Sequence, residues 1–208
     1  MTSYATVEEL RARLDKTGTG DDAVLTALLA ASSAAIDRFC NRPDGFVALD
    51  TATARTFAGS GTAIQAIDEC TSITLVESND GRAWTAWDAD DWLAFRGDPA
   101  APDFAGLPHT GLMVAYSGTY ATFPRLARGG AAPPSVRVTA TWGYAATVPP
   151  QVREAAVVQA ARWWQRGKSA WSDTLGNADL GLLIYRKALD PDVEHMLVLG
   201  RLVRVAVG

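Results

Sequence analysis

Residues 135–156 read Ser-Val-Arg-Val-Thr-Ala-Thr-Trp-Gly-Tyr-Ala-Ala-Thr-Val-Pro-Pro-Gln-Val-Arg-Glu-Ala-Ala, and within them the chain changes period. First Val136, Val138, Ala140 and Trp142 alternate with Arg137, Thr139 and Thr141, the two-residue repeat of a strand with one buried face. After Val148-Pro149-Pro150 the apolar positions are Val152, Ala156, Ala160, Trp163 and Trp164, joined by Gln159, which line one side of a helix. Proline suits the first turn of that helix, because its missing N–H is one the helix cannot use there. The fold therefore turns on what lies on either side of this switch.

Upstream, residues 46–148 have the texture of strands and turns: short runs of Thr, Val, Ile, Trp and Phe broken by Gly, Pro and Asp. Strands are expected at Thr53–Phe57, Ala63–Ile67, Ser72–Glu77, Arg82–Trp87, Asp91–Phe95, Leu112–Tyr116 and Ser135–Trp142. Asn79-Asp80-Gly81 supplies residues that accept positive φ, and predicts a tight hairpin. The stretches Gly97–Thr110 and Ala127–Pro134 are loops too long to be plain connectors.

The first 42 residues read as two helices. Thr6-Val7-Glu8-Glu9 is a capping box, Leu10 and Leu14 lie one turn apart, and Gly18-Thr19-Gly20 ends the segment. Asp21-Asp22 put acids at the next N-terminus, and Leu25, Leu28, Leu29, Ser32, Ile36 and Phe39 trace one buried face. Ala30, Ala31, Ser33, Ala34 and Ala35 leave much of the remaining surface small enough for a neighbouring helix to approach closely. At the other end, Asp190-Pro191-Asp192 is an N-cap with proline behind it, opening a helix through Val193 and Leu197. Gly167–Gly181 reads as a polar loop around Trp171, and Leu182–Ala188 suits helix or strand. The expected class is α+β: a small helical bundle from both chain ends (1–45 and 149–208) with an antiparallel β-domain inserted at 46–148.

Composition agrees with this class and removes others. The 208 residues are 48% hydrophobic and 20% charged, with 19 Lys+Arg against 23 Asp+Glu, the balance of a globular chain rather than a disordered one. Two cysteines, Cys40 and Cys70, cannot form a disulfide scaffold, and no apolar run approaches the ~20 residues of a membrane span. The opening residues lack a basic and apolar leader, which predicts a cytosol-like compartment. A net charge of −4 does not seek nucleic acid by counterion release. Residues 44–148 hold eleven acids against six arginines, whereas residues after 150 hold eight basic side chains against six acids.

Candidate chemistry is sparse. His109 and His195 lie in different elements without a nucleophile signature, and each is expected to face solvent. No Cys/His cluster has zinc spacing, and Gly59-Ser60-Gly61 lacks the helix that a phosphate cradle requires. Asp88, Asp90 and Asp91 are the densest carboxylates, a hydrolase or metal candidate weighed against an ordinary solvated turn. Trp84, Trp87 and Trp92 could form an aromatic platform for a glycan or another ligand, weighed against core packing. Nothing here argues for an enzyme or a cofactor.

Several stretches, taken in order, resemble the head–tail connector (adaptor) family of long-tailed phages and related gene transfer agents. These are Tyr4-x-Thr6-x-Glu8-Glu9-Leu10; Asp21-Asp22 with Leu28-Leu29-Ala30-Ala31-Ser32; Ile36-Asp37-Arg38-Phe39-Cys40-Asn41-Arg42; Thr53-x-Arg55-x-Phe57-x-Gly59; Val138-Thr139-x-Thr141-Trp142-Gly143-Tyr144; Val152-x-x-Ala155-Ala156; Leu175 to Gly181; and Leu189-Asp190-Pro191-Asp192-Val193 with Leu197. The resemblance implies a structural protein of the virion neck, assembled in the host cytoplasm and without membrane contact. It implies a dodecameric ring below the portal protein, carrying a stopper or tail-completion protein and passing DNA through its lumen without sequence-specific binding. It further implies that the C-terminal segment docks on the portal. Applied to this chain, the segment offers Leu197, Leu199, Arg201, Leu202 and Arg204, in a tail too apolar to find cover within its own subunit. Arg162, Trp163, Arg166 and Trp171 have the aromatic and arginine character of ring-interface residues.

Overall fold

The structure is a computed structural model and describes residues 3–100, 107–127, 130–168 and 189–204. It divides into two compact units, one formed by residues 1–44 with 148–208, the other by residues 45–147. The class is α+β, as expected from the sequence.

The first unit holds α1 (Val7–Arg13), α2 (Asp22–Phe39), α3 (Pro150–Lys168) and α4 (Pro191–Leu199). Thr6 caps α1 as its sequence predicts: the Glu9 N–H donates to the Thr6 hydroxyl (3.2 Å), and the Thr6 N–H donates to the Glu9 carboxylate (2.8 Å). On α2 the buried residues are Leu25, Leu29, Ser32, Ser33 and Ile36, while Leu28 and Phe39 are only half-buried. The face is rotated toward Ser33, whose hydroxyl donates to the Leu29 carbonyl and accepts the Tyr4 N–H (3.0 Å). On α3, Ala155, Ala156, Ala160 and Ala161 are buried beside Val152 and Val157. Leu10, Leu25, Leu29, Val157, Ala160 and Ala161 share one core, with Trp164 packed at its margin.

Three helices of this unit end on a left-handed residue that is not glycine. The residues just past the caps, Asp15 (φ 52°), Asn41 (φ 54°) and Arg201 (φ 53°), are left-handed. In each case the following N–H reaches back to the helix: Lys16 to Arg11 (3.0 Å), Arg42 to Asp37 (2.8 Å) and Leu202 to Leu197 (3.1 Å). These are Schellman ends, which satisfy carbonyls that the helix leaves open. Helix α1 therefore stops at Arg13, before the expected Gly18-Thr19-Gly20.

The second unit is a six-stranded antiparallel sheet ordered β1-β6-β2-β5-β4, with β3 also paired to β2. Its strands are β1 (Thr53–Ala58), β2 (Ile64–Asn79), β3 (Trp84–Ala86), β4 (Trp92–Phe95), β5 (His109–Val114) and β6 (Pro134–Trp142). The strands expected at Ala63–Ile67 and Ser72–Glu77 are one long strand. Register shifts between Ala66 and Cys70, Cys70 and Ser72, and Ile73 and Leu75 let β2 pair first with β5 and then with β6. The hairpin after β2 is wider than a two-residue turn, since Asn79 pairs with Trp84. Asp80 accepts the N–H groups of Arg82 and Ala83 and fills that loop.

Strand β6 carries the alternation the sequence shows. Val136, Val138 and Ala140 are fully buried and Trp142 is 2% exposed, on a core that includes Val76, Leu112, Trp87 and Phe123. On the opposite face Arg137 donates to Glu77 and lies over the Trp84 ring (4.5 Å). Gly111 on β5 faces Phe95 on β4, and a Cβ there would fall 2.0 Å from the ring, so only glycine fits beneath it.

Asp91 closes the turn into β4. Its carboxylate accepts the N–H of Thr119 (2.6 Å) and of Asp88 (3.2 Å). These bonds, that from Thr119 first, hold its carboxyl below the ordinary carboxylate range. A carboxyl that titrates lower when folded adds stability above its unfolded value and loses it as pH falls through the folded one. The thermal midpoint of the β-unit should therefore drop as pH is lowered from 5 to about 3, and Asp91→Asn should lower the midpoint at pH 7 while flattening this acid limb. At the end of α4, Arg201→Gly should remove the left-handed strain of a side chain and raise the midpoint of the helical unit, a gain of about 1 kcal/mol readable by calorimetry.

Candidate functional site: the end of α4 and the arginine-bearing face of α3

Helix α4 is built by a cap whose polar atoms are all engaged in the helical unit. The Asp190 side chain accepts the Asp192 N–H (3.0 Å), and the Asp190 N–H donates to the Gln159 side-chain oxygen of α3 (2.8 Å). Arg162 on α3 lies 3.3 Å from Asp190 and 3.6 Å from Asp192. Asp190 is only 4% exposed, so this ion pair is partly desolvated and joins the start of α4 to α3.

From that cap, Val193 and Leu197 point inward and are fully buried, while Val198 (55%) and Leu199 (69%) are exposed on the last turn. Leu202 then turns back into the unit and is 2% exposed. It reaches the core because the Schellman end of α4 brings the residue after Arg201 back over Leu197. The expectation that the whole segment lacks cover is therefore corrected: Leu197 and Leu202 find it in their own unit. Arg201 is exposed and Arg204 half-buried. Sequence periodicity alone left Val198 out of the candidate set, although its neighbour Leu199 was in it; a surface of two adjacent exposed aliphatic residues is the signal that could have found it.

The ring-interface candidates are distributed differently. Trp163 and Arg166 are half-buried on α3, Arg162 is committed to the α4 cap, and Trp171 lies outside the described residues. Trp164, which the sequence also offers as an interface aromatic beside Trp163, is flanked by the ammonium groups of Lys16 and Lys168, each 5.0 Å from its ring.

Several of the other candidates are held in the core or in turns. Trp87 is 4% exposed, stacked on Tyr120 (4.1 Å) and Phe123 (4.9 Å), with its indole N–H donated to Ser78. Trp92 packs against the same core and Trp84 lies under Arg137, so the three rings present no common face to a glycan. Among Asp88, Asp90 and Asp91, the last is buried and spends its carboxylate on backbone donors. No group of three or more metal-ligating side chains occurs among the described residues. Burial pushes the thiols of Cys40 and Cys70 up to about 12, so neither is a nucleophile near neutral pH. His109 does not face solvent as expected: it is half-buried at the start of β5, 3.5 Å from Arg96. His195 is exposed on α4. No helix among the described residues is long and apolar enough to cross a membrane.

No protein-family model matches the sequence, and no curated protein matches it. Solved structures do. A chain in the neck of an empty GTA particle, computed with C6 symmetry, is 20% identical with a TM-score of 0.51, over 97% of this chain and 90% of that one. A chain in the neck of a native GTA particle, computed with C12 symmetry, is 20% identical with a TM-score of 0.50, over 97% and 89%. A chain in the virion of a native gene transfer agent particle is 21% identical with a TM-score of 0.51, over 97% and 91%. The fold, from the capped first helix through the sheet to α4, is thus shared with neck and virion chains of gene transfer agent particles, in keeping with the head–tail connector resemblance of the sequence.

Proposed function

We propose that this protein is a structural component of a virion neck, an adaptor that forms a homo-oligomeric ring between the portal protein and the next neck or tail-completion protein. The observation that carries the reading is the shared fold over 97% of the chain with neck chains solved under C12 and C6 symmetry. Its motifs span both helical ends and the inserted sheet, and Trp87, Asp91 and the two cysteines are engaged in packing or turn closure. The reading includes no enzymatic activity and no cofactor.

A closed ring requires two different faces on each subunit. Trp163, Arg166 and Trp171, with Arg162 beside them, are assigned to one of these. DNA passes through the lumen, where a chain of net charge −4 favours sliding over adhesion. The portal-facing surface is the last turn of α4 with Leu199 and Arg201, joined by Val198; Arg204 borders it, and Leu197 and Leu202 hold it from inside. Two exposed aliphatic side chains beside an arginine have the composition of an interface centre rather than of a solvated helix end.

Mixing the protein with its cognate portal should give a ring complex visible by sedimentation and negative-stain electron microscopy. Leu199→Asp with Val198→Asp should abolish that complex. Because both positions are exposed, the variant should keep its thermal midpoint, with stability changed by no more than about 0.5 kcal/mol. A complex that survives both charges would overturn the assignment of this surface.

A further inference from the structure

The Schellman ends of α2 and α4 meet. Arg42, the residue after left-handed Asn41, is 4% exposed, and its Nε–H donates to the carbonyl of Leu202 (2.9 Å). Leu202 is the corresponding residue after left-handed Arg201. Two residues on, the Arg204 N–H donates to the Cys40 carbonyl at the cap of α2 (2.9 Å). The two helix ends are therefore tied by a reciprocal pair of bonds across more than 150 residues of sequence. Behind Arg42, the Tyr4 hydroxyl donates to Asp37, the carboxylate on the last turn of α2. Asp37 and Arg42 attract each other.

A buried guanidinium is costly to desolvate, and an aliphatic side chain could fill the same space. What it adds is direction. It fixes the path of residues 200–204, and with it the last turn of α4 that exposes Val198 and Leu199. We infer that Arg42 is a positioning residue: through the Leu202 carbonyl it pre-orders the end of α4 as the docking surface for the portal protein. The inference rests on the proposed adaptor reading. Ordering that segment during folding removes the entropic cost from the binding step, so affinity gains without a new contact.

The full-length protein and its Arg42→Gln variant would be compared in two measurements. Amide hydrogen exchange, read on the unliganded protein, should accelerate at Leu202 and Arg204 in the variant. Affinity for the cognate portal protein should fall roughly tenfold, the order expected when a few groups must be ordered on binding. Leu10→Ala, a truncation on α1 in the core shared with Leu25, Leu29, Val157, Ala160 and Ala161, which includes no α4 residue, supplies the control: with a comparable loss of thermal midpoint it should leave portal affinity unchanged. Unchanged exchange at Leu202 and Arg204, or accelerated exchange with unchanged affinity, overturns the positioning role. Equal loss of affinity in Leu10→Ala also overturns it, since Arg42 would then matter only through stability. If Leu199→Asp leaves portal affinity intact, the adaptor surface itself fails; if Leu199→Asp abolishes it and Arg42→Gln does not, only the role of Arg42 fails.

Discussion

The helical unit depends on the contact of α2 with α3, two helices that the entire β-unit separates in sequence. Closing so long a loop costs only a few kcal/mol more than closing a short one, because the entropy grows with the logarithm of its length. What must be supplied is a close, well-filled contact. Ala160 and Ala161 on α3 share a core with Leu25 and Leu29 of α2, and Val157 packs beside them. Small side chains let the helix axes approach, and the leucines fill the space that remains. Once α2 and α3 are joined, α1 has a groove to cover and α4 has a surface on which to place its cap.

Three buried polar groups of this protein direct the path of the chain. Asp91 gathers the N–H groups of a turn, Asp190 starts a helix while bound to Arg162, and Arg42 receives the end of that helix. Each is buried, and each is matched by a donor or acceptor of the opposite kind, as buried polar groups must be. For the proposed adaptor role such fixed geometry is an advantage, because specificity in an assembly is set by where surfaces sit as much as by what they contain. The exposed pair Val198 and Leu199 is ordinary in composition; its placement at the end of a doubly tied helix distinguishes it.

Helix ends and caps show how far local sequence reaches. The Thr6 box and the Asp190-Pro191 start were legible because capping is a matter of three or four consecutive residues. Helix stops were less so. A reader looking for glycine finds Gly18 and misses Asp15, because aspartate and arginine adopt the left-handed region only when the tertiary setting repays the strain. In the β-unit the alternation of β6 was plain, whereas the continuity of β2 was not: bulges leave the hydrophobic period broken while the strand goes on.

By itself, then, the sequence determined the class of fold, the order of helices and strands, the inward face of β6 and the start of every capped helix, since each is set by spacing over one or two turns. It also showed that the final stretch is apolar. Only the tertiary structure decided which of those apolar residues are covered. Leu197 enters the core while α4 turns Val198 and Leu199 outward, and Leu202 is buried where the left-handed Arg201 turns the chain back and its carbonyl meets Arg42, a residue that lies near the other end of the sequence. Long-range hydrogen bonds of this kind leave no period to read, and they settle which surface the protein offers.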